Sequence, residues 1–242
     1  MLYLFFETHH KNYTRLKAIL LDNTANHRTK MNSPRPLIVS IDGAIAVGKS
    51  TLCETLRSMG HIVYCEGADD PKRWGKSLER FYKDPSTCFA LQVAILSDMR
   101  RLYNNICRRD VSIVFVERNP LSARDIFLQN SFRAGHINEV DRNVYLQLHE
   151  QLGWEPDYII SLETTPMIAF QRLVQRNRAA EVDVDISYIQ DITRQYKLTV
   201  ANWCRLIKAN ELKTKGVHSI DVSNCSKDSV VQNVLKWIKT LQ

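Results

Sequence analysis

The sequence lacks any long uninterrupted run of apolar residues. Of its 242 residues 44% are hydrophobic and 24% are charged, and no stretch reaches the roughly 18 apolar residues that a membrane-spanning helix needs. The opening "MLYLFF" is too short for the core of a signal peptide and has no basic start. We therefore expect a soluble, cytoplasmic protein with no membrane partner; organelle targeting by residues 1–35 stays an open alternative.

Metal-binding and disulfide patterns are also missing. The cysteines show neither a CxxC pair nor a Cys/His pair at ligand spacing, which argues against a zinc site and a disulfide framework. We expect reduced thiols, most of them simply buried. The six cysteines are Cys53, Cys65, Cys88, Cys107, Cys204 and Cys225.

A strong excess of one charge is absent from most of the chain. The net charge is +7, but residues 1–35 carry +4 of it, so the remaining 207 residues are nearly balanced. This distribution argues against a nucleic-acid partner and suits a protein that binds small anions. The turn-rich "NSPRP" divides a basic, flexible extension, 1–35, from a single domain, 36–242, and Met31 is an alternative start.

After Pro36, short β-rich runs alternate with long amphipathic stretches. This alternation predicts a doubly wound α/β domain in which helices cover both faces of a five-stranded parallel sheet. The predicted strands are 37–41, 62–65, 113–116, 158–162 and 217–222. The predicted helices are 49–58, 86–109, 121–132, 137–152, 166–180, 184–210 and 227–241.

The first strand runs into "DGAIAVGKST", which satisfies the phosphate-loop pattern G-x-x-x-x-G-K-[ST] between a strand and a helix. Backbone N–H groups of such a loop surround a phosphate, its lysine reaches the β- and γ-phosphates, and its serine hydroxyl binds Mg²⁺. We therefore expect a nucleoside triphosphate and Mg²⁺ as cofactors; ATP is the expected donor, although nothing in the segment after the last strand ranks it above other triphosphates. The predicted ATP-binding loop comprises Gly43, Ala44, Ile45, Ala46, Val47, Gly48, Lys49, Ser50 and Thr51.

Two acids follow predicted strands and lie at the edge of the sheet where a ligand would gather. Glu66 follows the second strand and Glu117, with Arg118, ends the third. A carboxylate beside a phosphate loop can take a proton from an attacking hydroxyl. Glu66 is thus a candidate general base, with a simple helix cap or solvated acid as the alternative.

Five segments in order resemble the deoxyribonucleoside kinases, a family that includes thymidine and deoxycytidine kinases. They are "IDGAIAVGKST", Glu66 followed by Trp74, "LERFYKDPSTCFALQ", "ERNPLSARDIF" and "QRLVQRNRAAE". The resemblance covers residues 37–242 and implies a P-loop kinase with an arginine-rich lid. Two departures stand out: Asn119 where the family usually has serine, and Ala180 where it often has a first lid acid.

The resemblance implies a role for each matching residue. Glu66 matches the base that acts on the nucleoside 5′-hydroxyl, Arg118 the arginine beside it, and Glu117 the acid that holds Mg²⁺ with Ser50. Lys49 and the lid arginines match the groups that steady the transferring phosphoryl; the lid set is Arg172, Arg176 and Arg178. Residues that match contacts to sugar or base are Trp74, Tyr82, Gln92, Phe127 and Glu181.

Specificity is expected to depend on the space beside the base. Met99 lies seven residues after Gln92 and Ala123 six after Glu117, where family members restricted to deoxycytidine and purines resemble one another in having arginine and aspartate. With Ile95, these uncharged side chains predict a thymidine-accepting pocket. An apolar pocket discriminates a methyl group by only about 1 to 3 kcal/mol, so deoxycytidine and deoxyuridine are expected as further substrates.

The sequence thus predicts an ATP-dependent kinase that phosphorylates the 5′-hydroxyl of a pyrimidine deoxynucleoside, thymidine first, for nucleotide salvage. By analogy with the family, a homodimer is expected. Two alternatives remain at this point. One is a nucleoside monophosphate kinase such as thymidylate kinase, and the other is a non-catalytic module that binds nucleotides or nucleic acid.

Overall fold

Five short runs rich in β-branched residues form one parallel sheet in the computed structural model of the chain. The strands are β1 (Leu37–Gly43), β2 (Val63–Tyr64), β3 (Ile113–Glu117), β4 (Tyr158–Glu163) and β5 (Gly216–Asp221). Their order is β2-β3-β1-β4-β5, and every neighbouring pair is parallel. The structure describes residues 35–67, 70, 72–177, 181 and 184–241, so the predicted extension lies outside it apart from Arg35.

The helices connect the strands as parallel pairing requires. They are α1 (Lys49–Ser58), α2 (Gly75–Lys83), α3 (Cys88–Ile106), α4 (Pro120–Ser122), α5 (Gln129–Arg133), α6 (Glu139–Leu152), α7 (Pro166–Arg176), α8 (Ile186–Lys208) and α9 (Lys227–Ile238). A 3₁₀ turn, Pro85–Thr87, precedes α3, and a π-helical segment, Ala123–Leu128, joins α4 to α5. Within the described ranges, no helix is long and apolar enough to cross a membrane.

The two faces of the sheet bury separate hydrophobic clusters. One face packs Val39, Ile41 and Phe115 against α1 and α9, and the other packs Ile159 against Trp203 of α8. β1 is buried along almost its whole length, which explains why apolar residues face both sides of the sheet in it, with only Ser40 and Asp42 as polar members. The predicted doubly wound α/β fold is confirmed.

Two helix predictions were wrong in detail, and one helix was missed. The predicted helix 121–132 is divided by the π-helical segment, and the predicted helix 166–180 ends at Arg176, where Asn177 adopts a left-handed conformation with φ 49°. Helix α2 was missed because it begins at a glycine and no side chain caps its first turn.

Candidate functional site

The phosphate loop joins β1 to α1 at the carboxyl edge of the sheet. Gly43 has φ 137°, and a Cβ there would lie 2.4 Å from the Leu162 carbonyl oxygen, so only glycine fits. The Lys49 ammonium lies inside the loop and donates to the carbonyl oxygens of Gly43 at 3.1 Å and Ala44 at 2.8 Å. Burial lowers the pKa of Lys49 to about 8. The loop therefore holds its lysine centrally, as phosphate binding requires.

A cavity opens on one side of this loop. It extends from the loop to the segment after β5, where Val222, Cys225 and Lys227 line it, and Arg172 and Arg176 line it from α7. Arg172 donates to the carbonyl oxygens of Val47 at 3.1 Å and Val222 at 2.9 Å. Arg172 thus links the loop to the segment after β5. These two hydrogen bonds do not direct its guanidinium toward the phosphate-binding centre of the loop.

Glu117, at the end of β3, joins the loop to the second strand. Its carboxylate accepts from the Ser50 hydroxyl at 3.0 Å and from the Glu66 backbone N–H at 3.1 Å. A hydroxyl and a carboxylate are hard oxygen donors of the kind that Mg²⁺ prefers. The residues present therefore fit the metal that the sequence predicts, and their chemistry is compatible with a Ser50–Glu117 pair of ligands.

Glu66 and Arg118 meet between the ends of β2 and β3. Arg118 Nε donates to the Glu66 carboxylate at 3.0 Å. Burial raises the pKa of Glu66, although the adjacent Arg118 acts in the opposite direction. The backbone of Arg118 is left-handed, with φ 65°, which is unusual for a residue with a side chain and points to a functional constraint.

Arg118 is held from three sides. Its Nη1 donates to the Tyr196 hydroxyl and to the Gly43 carbonyl oxygen, the latter at 3.3 Å, and its guanidinium lies 4.5 Å from the centre of the Phe127 ring. The Tyr196 hydroxyl in turn donates to Asp42 at 2.7 Å. Burial opposes the charge of Arg118, but Glu66, Tyr196 and Asp42 outweigh it and raise the pKa.

Asn119 is fully buried directly after Arg118. Its side-chain amide donates to Ser40 at 2.9 Å and to Asp42 at 2.7 Å, while its carbonyl oxygen accepts from the backbone of Leu121 at 2.8 Å and Ser122 at 3.2 Å. Asn119 therefore both caps α4 and links it to β1 through the hydrogen bonds to Ser40 and Asp42. The departure from the family's usual serine brings extra hydrogen bonds to the sheet.

A second cavity lies on the other side of the loop, under α3 and the π-helical segment. All ten residues that the sequence predicts for substrate binding line it: Glu66, Trp74, Tyr82, Gln92, Ile95, Met99, Arg118, Ala123, Phe127 and Glu181. Lys49 and Ser50 also line it, so the phosphate loop borders both cavities. The sequence did not single out five further lining residues, which are Leu78, Phe81, Leu91, Ser131 and Tyr188.

Gln92 lines this cavity with a buried polar side chain. Its side chain is 4% exposed, and its Oε1 has no hydrogen-bond partner among the described residues. A buried amide oxygen without a partner costs free energy, and a ligand that donates a hydrogen bond would recover it. Gln92 is therefore suited to recognise a polar ligand edge.

A cluster of charged side chains is centred on Asp98, the residue before Met99 in α3. Asp98 pairs with Arg73 and, at 2.5 Å, with Arg101. Arg73 also donates to the Cys65 carbonyl oxygen at 3.0 Å, which ties α3 to the end of β2 beside Glu66. The charges near the cavity are thus paired with each other, while Met99 and Ala123 present apolar atoms to it.

The predicted lid is described in part. Arg176, the last residue of α7, pairs with the Glu181 carboxylate at 2.5 Å, and both side chains line the second cavity. Arg178 and Ala180 lie outside the described residues, and their predicted roles stay predictions. The described part of the lid thus brings Arg176 to the border of both cavities and Glu181 to the second cavity alone.

The sequence profile of the deoxynucleoside kinase family matches residues 39–241. The chain belongs to the deoxynucleoside kinase family. As a deoxynucleoside kinase, it transfers a phosphoryl group from a nucleoside triphosphate to a hydroxyl group of a deoxynucleoside. This bears out the predicted family and enzyme class.

Relatives of this deoxynucleoside kinase carry different substrate names. A probable deoxycytidine kinase of Fowlpox virus is 27% identical over 214 residues, covering 84% of this chain and 88% of the relative. Thymidine kinase 2, mitochondrial, of Macaca fascicularis is 29% identical over 168 residues, covering 64% of this chain and 61% of the relative. The family membership therefore leaves the preferred nucleoside open.

A solved structure has the same fold as this kinase. The deoxyadenosine kinase from M. mycoides superimposes with a TM-score of 0.68 at 18% identity, covering 85% of this chain and all of that one. At that identity the likeness concerns the fold alone.

Proposed function

We propose that this kinase transfers the γ-phosphoryl of ATP to the 5′-hydroxyl of a pyrimidine deoxynucleoside, with thymidine preferred and deoxycytidine and deoxyuridine also accepted. The observation that carries the proposal is the second cavity. It is lined by Glu66, Lys49 and Ser50, at or beside the phosphate loop, and by Gln92 with the apolar groups described above, which lie on α3 and the π-helical segment. A nucleoside that occupies it would direct its sugar toward the phosphate loop and its base toward Gln92.

Glu66 is the proposed general base. Its carboxylate borders both the phosphate loop and the acceptor cavity, and its raised pKa makes it a better proton acceptor than an exposed carboxylate. Arg118 keeps this carboxylate oriented through the 3.0 Å hydrogen bond. Glu66 takes the proton of the 5′-hydroxyl as the oxygen attacks the γ-phosphorus.

The remaining groups offset negative charge on the transferring phosphoryl. Lys49, with Arg176 and Arg178 of the lid, supplies positive charge on the donor side, and Tyr82 and Glu181 hold the sugar. Mg²⁺, when bound by Ser50 and Glu117, would neutralise charge on the donor phosphates. Arg172 stabilises the first cavity, which would bind the donor, through its hydrogen bonds to two backbone carbonyl oxygens.

Preference for thymidine is supported by the apolar surroundings of the base end. Ile95, Met99 and Ala123 line it without a charge, which leaves the 5-methyl group in an apolar environment. Two relatives are named for pyrimidine nucleosides, a deoxycytidine kinase and a thymidine kinase, whereas the M. mycoides structure is that of a deoxyadenosine kinase. Phe127, whose ring centre lies 4.5 Å from the Arg118 guanidinium, is proposed to stack on the base.

A homodimer is proposed as the assembly. Helices α3 and α6 pack against each other, and α6 leaves Val140 71% and Val144 39% exposed. Contact with a second copy would bury this apolar surface. Sedimentation equilibrium checks the proposal: a mass near 56 kDa, twice the 28.0 kDa of the chain, supports it, and the chain mass alone contradicts it.

Comparison of two acceptors tests the proposed reaction. With ATP and Mg²⁺, thymidine should give a product whose new phosphate is coupled to the 5′ protons in ³¹P NMR, whereas thymidylate should react at least ten-fold more slowly. Phosphorylation of thymidylate alone would contradict the proposal, because a phosphate acceptor needs no base at the position of Glu66.

A further inference from the structure

Two thiols meet beside the proposed site. Cys53 lies in α1 and Cys65 directly follows β2, and their sulfur atoms and a carboxylate oxygen of Glu117 all lie within 4.8 Å of one another. Cys53 is fully buried in the core, whereas Cys65 is half-buried. The proposed reaction uses neither thiol.

Arg57 distinguishes this pair from two thiols that merely pack together. Its Nη2 donates to Cys65 Sγ at 2.9 Å and to the Val63 carbonyl oxygen at 3.2 Å, so the guanidinium is held against the sulfur. The guanidinium would offset negative charge on the attacking sulfur, while the nearby Glu117 carboxylate acts against it, and the positive charge disfavours a metal cation at the same place. Cys65 therefore combines partial access with activation, and Cys53 lies within reach behind it.

We propose that Cys53 and Cys65 form a reversible disulfide that lowers the turnover of the kinase. The Cys65 thiolate attacks one sulfur of glutathione disulfide, forms a mixed disulfide and expels one glutathione thiolate. The Cys53 thiol then attacks the Cys65 sulfur, and its proton leaves with the second glutathione as that thiolate is expelled. The two cysteine protons pass to the two glutathione thiolates, so the protein loses two electrons and glutathione disulfide gains them.

The new bond would act on the neighbouring site. A disulfide bond is about 2 Å long, so the two sulfurs must approach, and the chain at Cys65 is drawn toward α1. Glu66 follows Cys65 directly, and its backbone N–H is bound by Glu117 at 3.1 Å. The movement therefore displaces the proposed base. This effect on turnover rests on the proposed role of Glu66, whereas formation of the bond does not.

Oxidation of the full-length protein tests the pair. The protein is incubated with glutathione disulfide, free thiols are blocked with N-ethylmaleimide, and peptides are identified by mass spectrometry. A peptide pair joined through Cys53 and Cys65 is expected, with turnover falling at least ten-fold in proportion to its yield. Dithiothreitol should remove the bond and restore turnover.

Three variants make the test specific. For Cys65→Ser and for Cys53→Ala, turnover in the presence of glutathione disulfide should equal the turnover that the same variant shows without it. Cys107→Ser, which removes an exposed thiol at the end of α3, should remain as sensitive as the unchanged chain.

Several outcomes would overturn the inference. They are the absence of the cross-linked peptide pair, a mixed disulfide at Cys65 alone, loss of turnover in Cys53→Ala equal to that of the unchanged chain, and full turnover of the cross-linked protein. Failure of the reduced protein to phosphorylate any pyrimidine deoxynucleoside would instead contradict the proposed function. The two failures are therefore distinguishable.

Discussion

Glu66 and Arg118 follow two neighbouring strands, β2 and β3. Their 3.0 Å hydrogen bond stabilises two charged side chains in a largely buried environment. Burial alone would favour a neutral carboxyl group, and it raises the pKa of Glu66. Arg118 keeps the carboxylate form accessible. A base with a raised pKa is better matched to proton transfer near neutral pH than an ordinary glutamate.

Glu66→Gln should lower kcat by roughly two to four orders of magnitude, because an amide cannot take the proton of the acceptor hydroxyl. ATP affinity, measured by calorimetry, should stay within a few fold. Since the pKa of Glu66 is raised, the carboxylate fraction, and with it kcat, should fall with decreasing pH at a higher pH than for an ordinary glutamate. Turnover retained in Glu66→Gln would remove this residue from the mechanism.

Tyr196→Phe should lower kcat about ten-fold, equivalent to ~1.4 kcal/mol of activation free energy, because Arg118 and Asp42 lose the hydroxyl that joins them. The KM for ATP should change little, and the pH dependence set by Glu66 should shift. Tyr145→Phe is the matched control, since the Tyr145 hydroxyl is buried without a partner among the described residues. Equal kinetics in both variants would contradict the positioning role.

Met99→Arg combined with Ala123→Asp should reduce kcat/KM for thymidine relative to deoxycytidine by ten-fold or more, because the new charged pair fills the space for a 5-methyl group. The separate kcat and KM values for both nucleosides check this. Met167→Arg, at a residue that is 54% exposed on α7, should leave the ratio unchanged. An unchanged ratio in the double variant would mean that other residues set the preference.

The contact between Tyr196 and Asp42 could not be predicted from the sequence. The motifs predicted ten residues that line the acceptor cavity, because each motif carries its own local pattern, but they did not indicate five others, among them Leu78 and Tyr188. The hydrogen bond from Tyr196 to Asp42 joins residues 154 positions apart, and nothing in "RQYKL" distinguishes this tyrosine from a core aromatic. Such partners become visible only when the fold brings their elements together.

At the scale of elements, the segment after β3 departs most from its predicted form. The sequence predicts one helix, but the structure has α4, a π-helical segment and α5 in succession. π-helical segments are rare and occur frequently at functional sites. This one carries Ala123 and Phe127, both of which line the acceptor cavity. Helical periodicity in the sequence cannot distinguish a π-helical turn from an α-helical one.

Asn119→Ala should lower the free energy of unfolding by roughly 2 to 4 kcal/mol, because the variant loses a helix cap and leaves buried groups of Asp42 and Ser40 without their partner. Asn138, which caps α6 at the surface, provides the comparison: Asn138→Ala should cost about 1 kcal/mol. Chemical denaturation measures both. Equal losses would show that Asn119 is only a cap.

At the scale of the whole molecule, the sheet order determines which residues can meet. β3 lies between β1 and β2, so the phosphate loop, Glu117 with Arg118, and Glu66 emerge side by side at one edge. The alternation of strands and helices in the sequence was sufficient to predict this class of fold, because parallel strands need crossover helices. It did not predict the strand order, which depends on contacts between distant segments.

Both cavities border the same phosphate loop, one reaching toward the segment after β5 and the other toward α3. This arrangement suits a donor and an acceptor that approach one phosphoryl group from opposite sides. Family membership makes the chain a deoxynucleoside kinase. The proposed preference for a pyrimidine with a 5-methyl group rests on the uncharged side chains of Ile95, Met99 and Ala123.

The most direct test is a measurement of kcat/KM with ATP and Mg²⁺ for thymidine, deoxycytidine, deoxyuridine, deoxyadenosine and deoxyguanosine under one set of conditions. Thymidine should have the highest value, deoxycytidine and deoxyuridine should follow, and both purine nucleosides should be at least ten-fold lower than thymidine. A purine deoxynucleoside as the best substrate would contradict the account of the acceptor cavity.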